Sequence, residues 1–188
     1  MSAPLDLPPV VSRAFEVSRR AGYVSFCRNE TGRLLATLAA TRSGTMAEFG
    51  TGCGVGTAWL RSGLQGDATI LTAELDPALA EAAAEIFVDD DRVEVRAADG
   101  ATLHAEGPFS LLFLDYADPT RVGVDVIADL VEPGGLVVLD DVVPCELWPP
   151  MSQGRVDLVR EQWLTDERFA AAEVMVASDA AAIIATRR

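Results

Sequence analysis

Acidic side chains follow several short apolar segments of this sequence, at the positions where we expect strands to end. They are Glu74, Asp99, Asp115, Asp140 and Asp141. The carboxyl ends of parallel strands meet at one edge of a sheet, where such sheets bind their ligands. Carboxylates at that edge can accept hydrogen bonds, hold a cation that prefers oxygen ligands, or take a proton from a hydroxyl group. The pattern therefore predicts one acidic, ligand-binding edge.

A glycine-rich run at residues 46–57 (MAEFGTGCGVGT) reads as a buried strand, a sharp turn and the start of a helix. Gly50, Gly52 and Gly54 lack a Cβ, so the backbone can turn there and approach a ligand closely. The amides beyond them would point at a ligand over the helix N-terminus. The dinucleotide fingerprint GxGxxG does not fit, because its third glycine falls on Val55 or Thr57. Instead, an acid, Glu48, precedes a GxGxG run.

Apolar segments and helical patterns alternate along the chain. The Asp-Pro pairs at 76–77 and 118–119 each predict a helix start. Strands are predicted at 46–49, 69–73, 92–96, 110–114, 136–139, 172–176 and 181–185. Helices are predicted at 32–40, 57–64, 77–87, 118–131 and 156–164, with an N-terminal helix and loop over 10–27. This order predicts an α/β fold with a mostly parallel seven-stranded sheet and helices on both faces. We expect a single domain over 1–188, with residues 1–30 as an N-terminal helix and lid segment.

Composition excludes several function classes. The 188 residues carry a net charge of −14 and contain no lysine, and the arginines are dispersed, which argues against a nucleic-acid substrate. No apolar run reaches the length of a membrane span, and no basic flank precedes an apolar core, so we expect a cytoplasmic protein. Cys27, Cys53 and Cys145 form no CxxC pair, and we expect them to be small buried side chains rather than zinc ligands or disulfides.

Four motifs in this order resemble the class I S-adenosylmethionine-dependent methyltransferases, which have a Rossmann-like fold. They are residues 47–54 (AEFGTGCG), 72–77 (TAELDP), 109–115 (FSLLFLD) and 132–141 (EPGGLVVLDD). Within that class the chain is similar to the small-molecule O-methyltransferases related to catechol O-methyltransferase, over about residues 31–188. The resemblance implies methyl transfer from S-adenosylmethionine to an oxygen of a small-molecule acceptor.

The resemblance also implies which residues bind the methyl donor. Glu74 is the expected anchor of the ribose hydroxyls, Glu48 and the turn amides would hold the methionine part, and Asp99 with Gly100 would lie near the adenine. The full expected set is Glu48, Gly50, Thr51, Gly52, Gly54, Thr57, Glu74, Leu75, Asp99, Gly100 and Asp115.

Cation-dependent members of the family bind magnesium through two aspartates and an asparagine. The matching positions here are Asp115, Asp140 and Asp141, which would form a site for Mg²⁺ or Ca²⁺. Those members also carry a lysine three residues after the first aspartate as the general base. Asp118 stands at that position, so either the metal alone acidifies the acceptor hydroxyl or Asp118 acts as the base. Asp115 and Asp118 are the candidate catalytic residues.

Other interpretations stay open at this stage. An N-methyltransferase acting on a small molecule, a non-catalytic S-adenosylmethionine-binding protein and a nicotinamide-dependent oxidoreductase are the alternatives. Tyr23, Phe26 and Trp148 are candidates to cover the acceptor, while His104 is expected at the surface. The resemblance leaves a homodimer open.

Overall fold

The computed structural model describes residues 6–24, 27–115 and 123–188. Nine strands are present in these ranges. They are β1 (Thr45–Phe49), β2 (Thr69–Glu74), β3 (Val93–Ala97), β4 (Phe109–Leu114), β5 (Val131–Val142), β6 (Met151–Ser152), β7 (Arg155–Val156), β8 (Phe169–Ala177) and β9 (Ala180–Arg187). β6 and β7 form a separate small hairpin.

The other seven strands form one mixed sheet in the order β3-β2-β1-β4-β5-β9-β8. The first five strands in this order are parallel, whereas β9 pairs antiparallel with both β5 and β8. The chain reverses its direction of progress across the sheet between β1 and β4, which is where open α/β sheets bind ligands. The predicted seven-stranded, mostly parallel α/β sheet is therefore confirmed.

Six α-helices accompany the sheet in the described ranges. They are α1 (Pro9–Arg20), α2 (Asn29–Ala39), α3 (Val55–Gly63), α4 (Pro77–Ile86), α5 (Val124–Leu130) and α6 (Leu158–Thr165), with a 3-10 helix at Gly100–Glu106. Asp76 caps α4 as predicted, since its side chain accepts a hydrogen bond from the Ala78 N–H at 2.9 Å.

Two hydrophobic cores lie on opposite faces of the sheet. One contains residues of α1 to α4, such as Val17, Leu35 and Trp59, packed with alternate residues of the strands. The other contains residues of the 3-10 helix, α5 and α6, such as Leu103, Ile127 and Trp163. Side chains of a strand alternate between the faces, so Met46 of β1 joins the first core and Phe49 the second.

Several predicted boundaries need correction. α2 begins at Asn29, three residues before the predicted start at 32. Within the predicted N-terminal helix and loop at 10–27, α1 ends at Arg20 because Gly22, with φ +68°, reverses the chain. β5 begins at Val131, well before the predicted residue 136, and β8 and β9 are longer than predicted. α5 begins at Val124. The predicted helix start at Asp118 lies outside the described residues. Among the helices that the structure describes, none has the length and apolar character needed to cross a membrane.

Candidate active site

The turn after β1 is built as the glycine pattern predicts. Gly50, Gly52 and Gly54 have φ values of +98°, +52° and +81°, in the left-handed region that glycine adopts most readily. Gly54 is the N-cap of α3. The turn therefore presents backbone amides beside the carboxyl ends of β1, β2 and β4.

Glu74 joins this turn to the end of β2. Its Oε2 accepts a hydrogen bond from the Gly52 N–H at 2.8 Å, and its Oε1 accepts one from the Asp76 N–H at 2.9 Å. The carboxyl group is half-buried, so part of it still faces outward. Its neighbour Leu75 is 61% exposed. The sequence thus predicted correctly that Glu74 lies beside the glycine turn.

Glu48 lies beneath the turn and is fully buried. Its carboxylate accepts hydrogen bonds from the hydroxyls of Thr57 and, at 2.7 Å, Thr72, which is itself bonded to Thr51. Burial raises the pKa of Glu48 to about 7, although the two threonine bonds oppose the shift. Neither Glu48 nor Thr57 is on the cavity wall. Both lie beneath the turn, and their contact with the methyl donor stays a prediction.

A cavity of about 120 Å³ opens between the glycine turn and the ends of β4 and β5. Its wall is formed by Tyr23, Cys27, Gly50, Thr51, Gly52, Cys53, Val55, Gly56, Asp115 and Asp141. Four of the predicted donor-binding residues are among them. Tyr23 and Asp141 were predicted in other roles, to cover the acceptor and to bind a cation. The wall residues that the sequence did not predict for the site are Cys27, Cys53, Val55 and Gly56. The signal for Tyr23 is the preceding Gly22, which ends α1 and turns the chain back.

Asp115 and Asp141 face this cavity from neighbouring strands. The Asp115 N–H donates to the Phe49 carbonyl at 3.0 Å. Its carboxylate accepts no hydrogen bond within the parts of the chain that the structure describes. Burial, followed by the charges of Asp140 and Glu48, raises the pKa of Asp115 well above its ordinary value. Asp115 is therefore a carboxyl group able to exchange a proton closer to neutral pH.

The three aspartates predicted to bind a cation differ in their contacts. Asp140 accepts a hydrogen bond from the Thr31 hydroxyl of α2 at 3.2 Å, and burial raises its pKa. Asp141 has a φ of +60° and lines the cavity. Within residues 6–24, 27–115 and 123–188, no group of three or more His, Cys, Asp or Glu side chains is placed to hold a metal ion. Asp115, Asp140 and Asp141 therefore do not form a three-ligand group in the described structure, and the cation site stays a prediction.

Asp99 and Gly100 lie at the start of the 3-10 helix after β3. The Asp99 side chain accepts a hydrogen bond from the Ala101 N–H at 3.0 Å. A Cβ on Gly100 would lie 2.8 Å from Phe49 Cγ, so only glycine fits there. His104 is half-buried and its ring stacks on Phe49 with 6.2 Å between centroids. The expectation of a surface histidine was wrong, because the 3-10 helix folds back onto β1.

The segment after β5 carries exposed apolar side chains beside the acidic edge. Val143, Leu147 and Trp148 are 69%, 65% and 63% exposed. Arg160 of α6 holds this segment through hydrogen bonds to the carbonyls of Val143 and Cys145 and an ion pair with Glu173. Cys145 is half-buried, unlike Cys27 and Cys53, which are buried as predicted.

Comparison with known proteins gives a consistent result. The model of a family described as a methyltransferase domain matches residues 47–142. A probable O-methyltransferase of Mycobacterium tuberculosis is 34% identical over 119 residues, which are 57% of this chain and 52% of the relative. The chain spans about half the length of the curated relatives it matches.

Solved structures share the fold over nearly the whole chain. An O-methyltransferase from Bacillus cereus in complex with S-adenosylhomocysteine has a TM-score of 0.80 at 21% identity, covering 98% of this chain and 93% of that one. The O-methyltransferase TomG from Streptomyces achromogenes, in complex with S-adenosylmethionine, has a TM-score of 0.77 at 22% identity, covering 97% and 92%. At this level of identity the likeness concerns the fold.

Proposed function

Because the chain belongs to the methyltransferase-domain family, we propose that it transfers a methyl group from S-adenosylmethionine to a hydroxyl oxygen of a small-molecule acceptor. The observation that carries the proposal is the Glu74–Gly52 junction beside a cavity that contains Asp115. The glycine turn, an acid at the end of β2 and a proton-exchanging acid at the end of β4 then occupy one edge of the sheet.

The residues of this edge suit the methyl donor. Each Glu74 oxygen accepts one backbone N–H and keeps a lone pair for a ribose hydroxyl. The turn supplies amides with partial positive charge at the start of α3, which favour a carboxylate group. Asp99 and Gly100, beside β3, remain our prediction for the adenine end, and Leu75 for an apolar contact.

For methyl transfer, the protein mainly has to orient the acceptor toward the donor and remove the proton of the acceptor hydroxyl. When bound, the donor supplies a methyl group on a sulfonium, a good leaving group. The acceptor oxygen forms a bond to the methyl carbon as the carbon–sulfur bond breaks, and the sulfur keeps the electron pair. The hydroxyl proton must go to a base. Asp115, whose pKa is raised and whose carboxylate lines the cavity, is our candidate. Asp118, the other predicted base, lies outside the described residues.

The proposed reaction includes no metal ion, because the three aspartates do not form a three-ligand group in the described structure. The Mg²⁺ or Ca²⁺ site at Asp115, Asp140 and Asp141 stays a prediction that a titration can test. Asp140→Ala should abolish binding of the ion, and Asp141→Asn should retain it. If a chelator leaves the turnover rate unchanged, the reaction does not depend on a divalent cation.

The test is product formation from S-adenosylmethionine carrying a deuterated methyl group. The protein is incubated with a panel of hydroxylated aromatic and aliphatic compounds, and products are detected by mass spectrometry with and without Mg²⁺ or chelator. Matched controls are the same acceptors with the hydroxyl already methylated and the corresponding amines. We expect label on oxygen. Label only on the amines would indicate an N-methyltransferase, and donor binding without any product would indicate a non-catalytic binding protein. Light scattering would separately show whether the protein is a monomer or a homodimer, which the resemblance leaves open.

A further inference from the structure

The end of α1 fixes the backbone of Tyr23. The Ala21 N–H donates to the Val17 carbonyl at 2.9 Å, and the Tyr23 N–H donates to the Ser18 carbonyl at 2.9 Å. Gly22 between them has φ +68°, with no atom within 4 Å of the place where a Cβ would lie. The reversal therefore costs little, and Tyr23 is held against the last turn of the helix.

The Tyr23 ring lies directly on Gly52. A Cβ built on Gly52 would be 2.8 Å from Cε1, 3.0 Å from the hydroxyl oxygen and 3.1 Å from Cζ of Tyr23. Side chains do not tolerate contacts as close as the first of these, so the ring occupies the space that a side chain on Gly52 would need. The missing Cβ of Gly52 thus makes room for the Tyr23 ring.

The same helix reaches the next residue of the turn. The Ser18 hydroxyl lies within hydrogen-bonding reach of the Cys53 thiol. Tyr23 and Cys53 both line the cavity, as does Asp115. α1 therefore contacts two successive residues of the glycine turn and contributes an aromatic side chain to the cavity wall.

We infer that Tyr23 is a positioning residue for the methyl donor, a role that rests on the proposed function. Its ring covers the donor where the donor meets the glycine turn and keeps water from the reacting atoms. An aromatic ring suits this role because it offers a large apolar surface with few rotatable bonds. The other residues of the described cavity wall are small or acidic, so Tyr23 contributes its one aromatic side chain.

The experiment compares Tyr23→Ala, Tyr23→Phe and Val24→Ala with the unmodified protein. Val24 is the matched control, since it is the next residue along and 84% exposed. Calorimetry gives the Kd for S-adenosylhomocysteine, and steady-state kinetics give KM for the donor and kcat. Thermal unfolding without ligand reports the fold.

We expect Tyr23→Ala to raise the Kd by about tenfold or more, because the covering ring is lost, and to raise the donor KM. Tyr23→Phe should restore the affinity, since it keeps the ring, and Val24→Ala should change nothing. A Tyr23→Ala protein that is destabilised yet binds S-adenosylhomocysteine normally would overturn the inference and leave Tyr23 a packing residue. If Tyr23→Ala does not fold, loss of affinity in folded Tyr23→Phe would likewise overturn it, because the ring would then not be the active part. Failure of the unmodified protein to bind would instead contradict the proposed function.

Discussion

The Gly52 N–H donates to Glu74 Oε2 across 2.8 Å, and this bond joins the turn after β1 to the end of β2. The two residues are 22 positions apart, yet one orients the other at the sheet edge. Glu74 is therefore held before any ligand arrives, because both of its oxygens already accept a backbone hydrogen bond. A preoriented carboxylate loses less freedom when it binds.

Substitutions at Gly52 and Gly66 can distinguish the cost of backbone strain from the cost of a clash with the Tyr23 ring. Their φ values are +52° and +53°, but only the Cβ of Gly52 would meet another atom within 4 Å. Alanine at either position should cost about 1 kcal/mol of stability from the left-handed backbone. Gly52→Ala should in addition weaken binding of S-adenosylhomocysteine, because the Tyr23 ring must shift.

Adding Tyr23→Ala to Gly52→Ala should recover part of the stability lost in Gly52→Ala. Chemical denaturation and calorimetry on the set measure both effects. If Gly52→Ala and Gly66→Ala lose the same stability and bind S-adenosylhomocysteine equally well, the contact of Gly52 with the Tyr23 ring contributes nothing to either.

Because the Glu48 carboxyl group is buried, we expect the free energy of unfolding to depend on pH. Its folded pKa of about 7 lies above the ordinary value of 4.5, so the folded state holds this proton more tightly than the unfolded state does. The free energy of unfolding should therefore fall as the pH rises from about 4.5 to 7, by about 3 kcal/mol from this group. Asp115 and Asp140, whose pKa values are also raised, contribute with the same sign.

Glu48→Gln stays uncharged at every pH and isolates the Glu48 contribution. Urea denaturation at several pH values should give a difference between the two proteins that grows from pH 4.5 to 7 in favour of the variant. Parallel curves would mean that burial does not perturb this carboxyl group.

We expect removal of the Arg160 side chain both to destabilise the protein and to weaken binding of the acceptor. It is 3% exposed, pairs with Glu173 and holds the carbonyls of Val143 and Cys145. Arg160→Ala should destabilise the protein by about 3 kcal/mol, because Glu173 and two carbonyls lose their partner. The acceptor KM should rise more than the donor KM, because the freed segment lies on the side away from the glycine turn.

Arg168→Ala is the matched control, since Arg168 and its partner Asp125 are exposed, although its other partner, Asp166, is half-buried. Ion pairs with an exposed member contribute little to stability. A similar loss of stability in both variants, or a rise confined to the donor KM in Arg160→Ala, would contradict the assignment.

Local sequence signals predicted the fold and about half of the candidate site. The glycine turn, the Asp76 cap and Glu74 follow from short-range patterns that act within one strand–turn–helix unit. The alternation of β1 also explains why Glu48 is buried: it points to the same side as Met46, toward α3. Its role in holding the methionine part of the donor stays a prediction.

Contacts between distant segments could not be predicted in this way. Tyr23 meets Gly52 only because α1 packs against α3 and then reverses at Gly22. The Thr31 hydroxyl donates a hydrogen bond to Asp140 across 109 positions, a contact that the sequence did not predict. Such placements depend on tertiary packing, for which hydrophobic periodicity carries no information.

The most direct test is calorimetric titration of S-adenosylhomocysteine into the unmodified protein, Glu74→Ala and Glu85→Ala. Glu85 is the matched control, an exposed glutamate on α4. We expect the unmodified protein and Glu85→Ala to bind alike, and Glu74→Ala to lose about 1.5–3 kcal/mol, since charge-assisted hydrogen bonds to the ribose are removed. Absence of binding by the unmodified protein, or equal affinity of Glu74→Ala, would contradict the claim that the turn and Glu74 form the methyl-donor site.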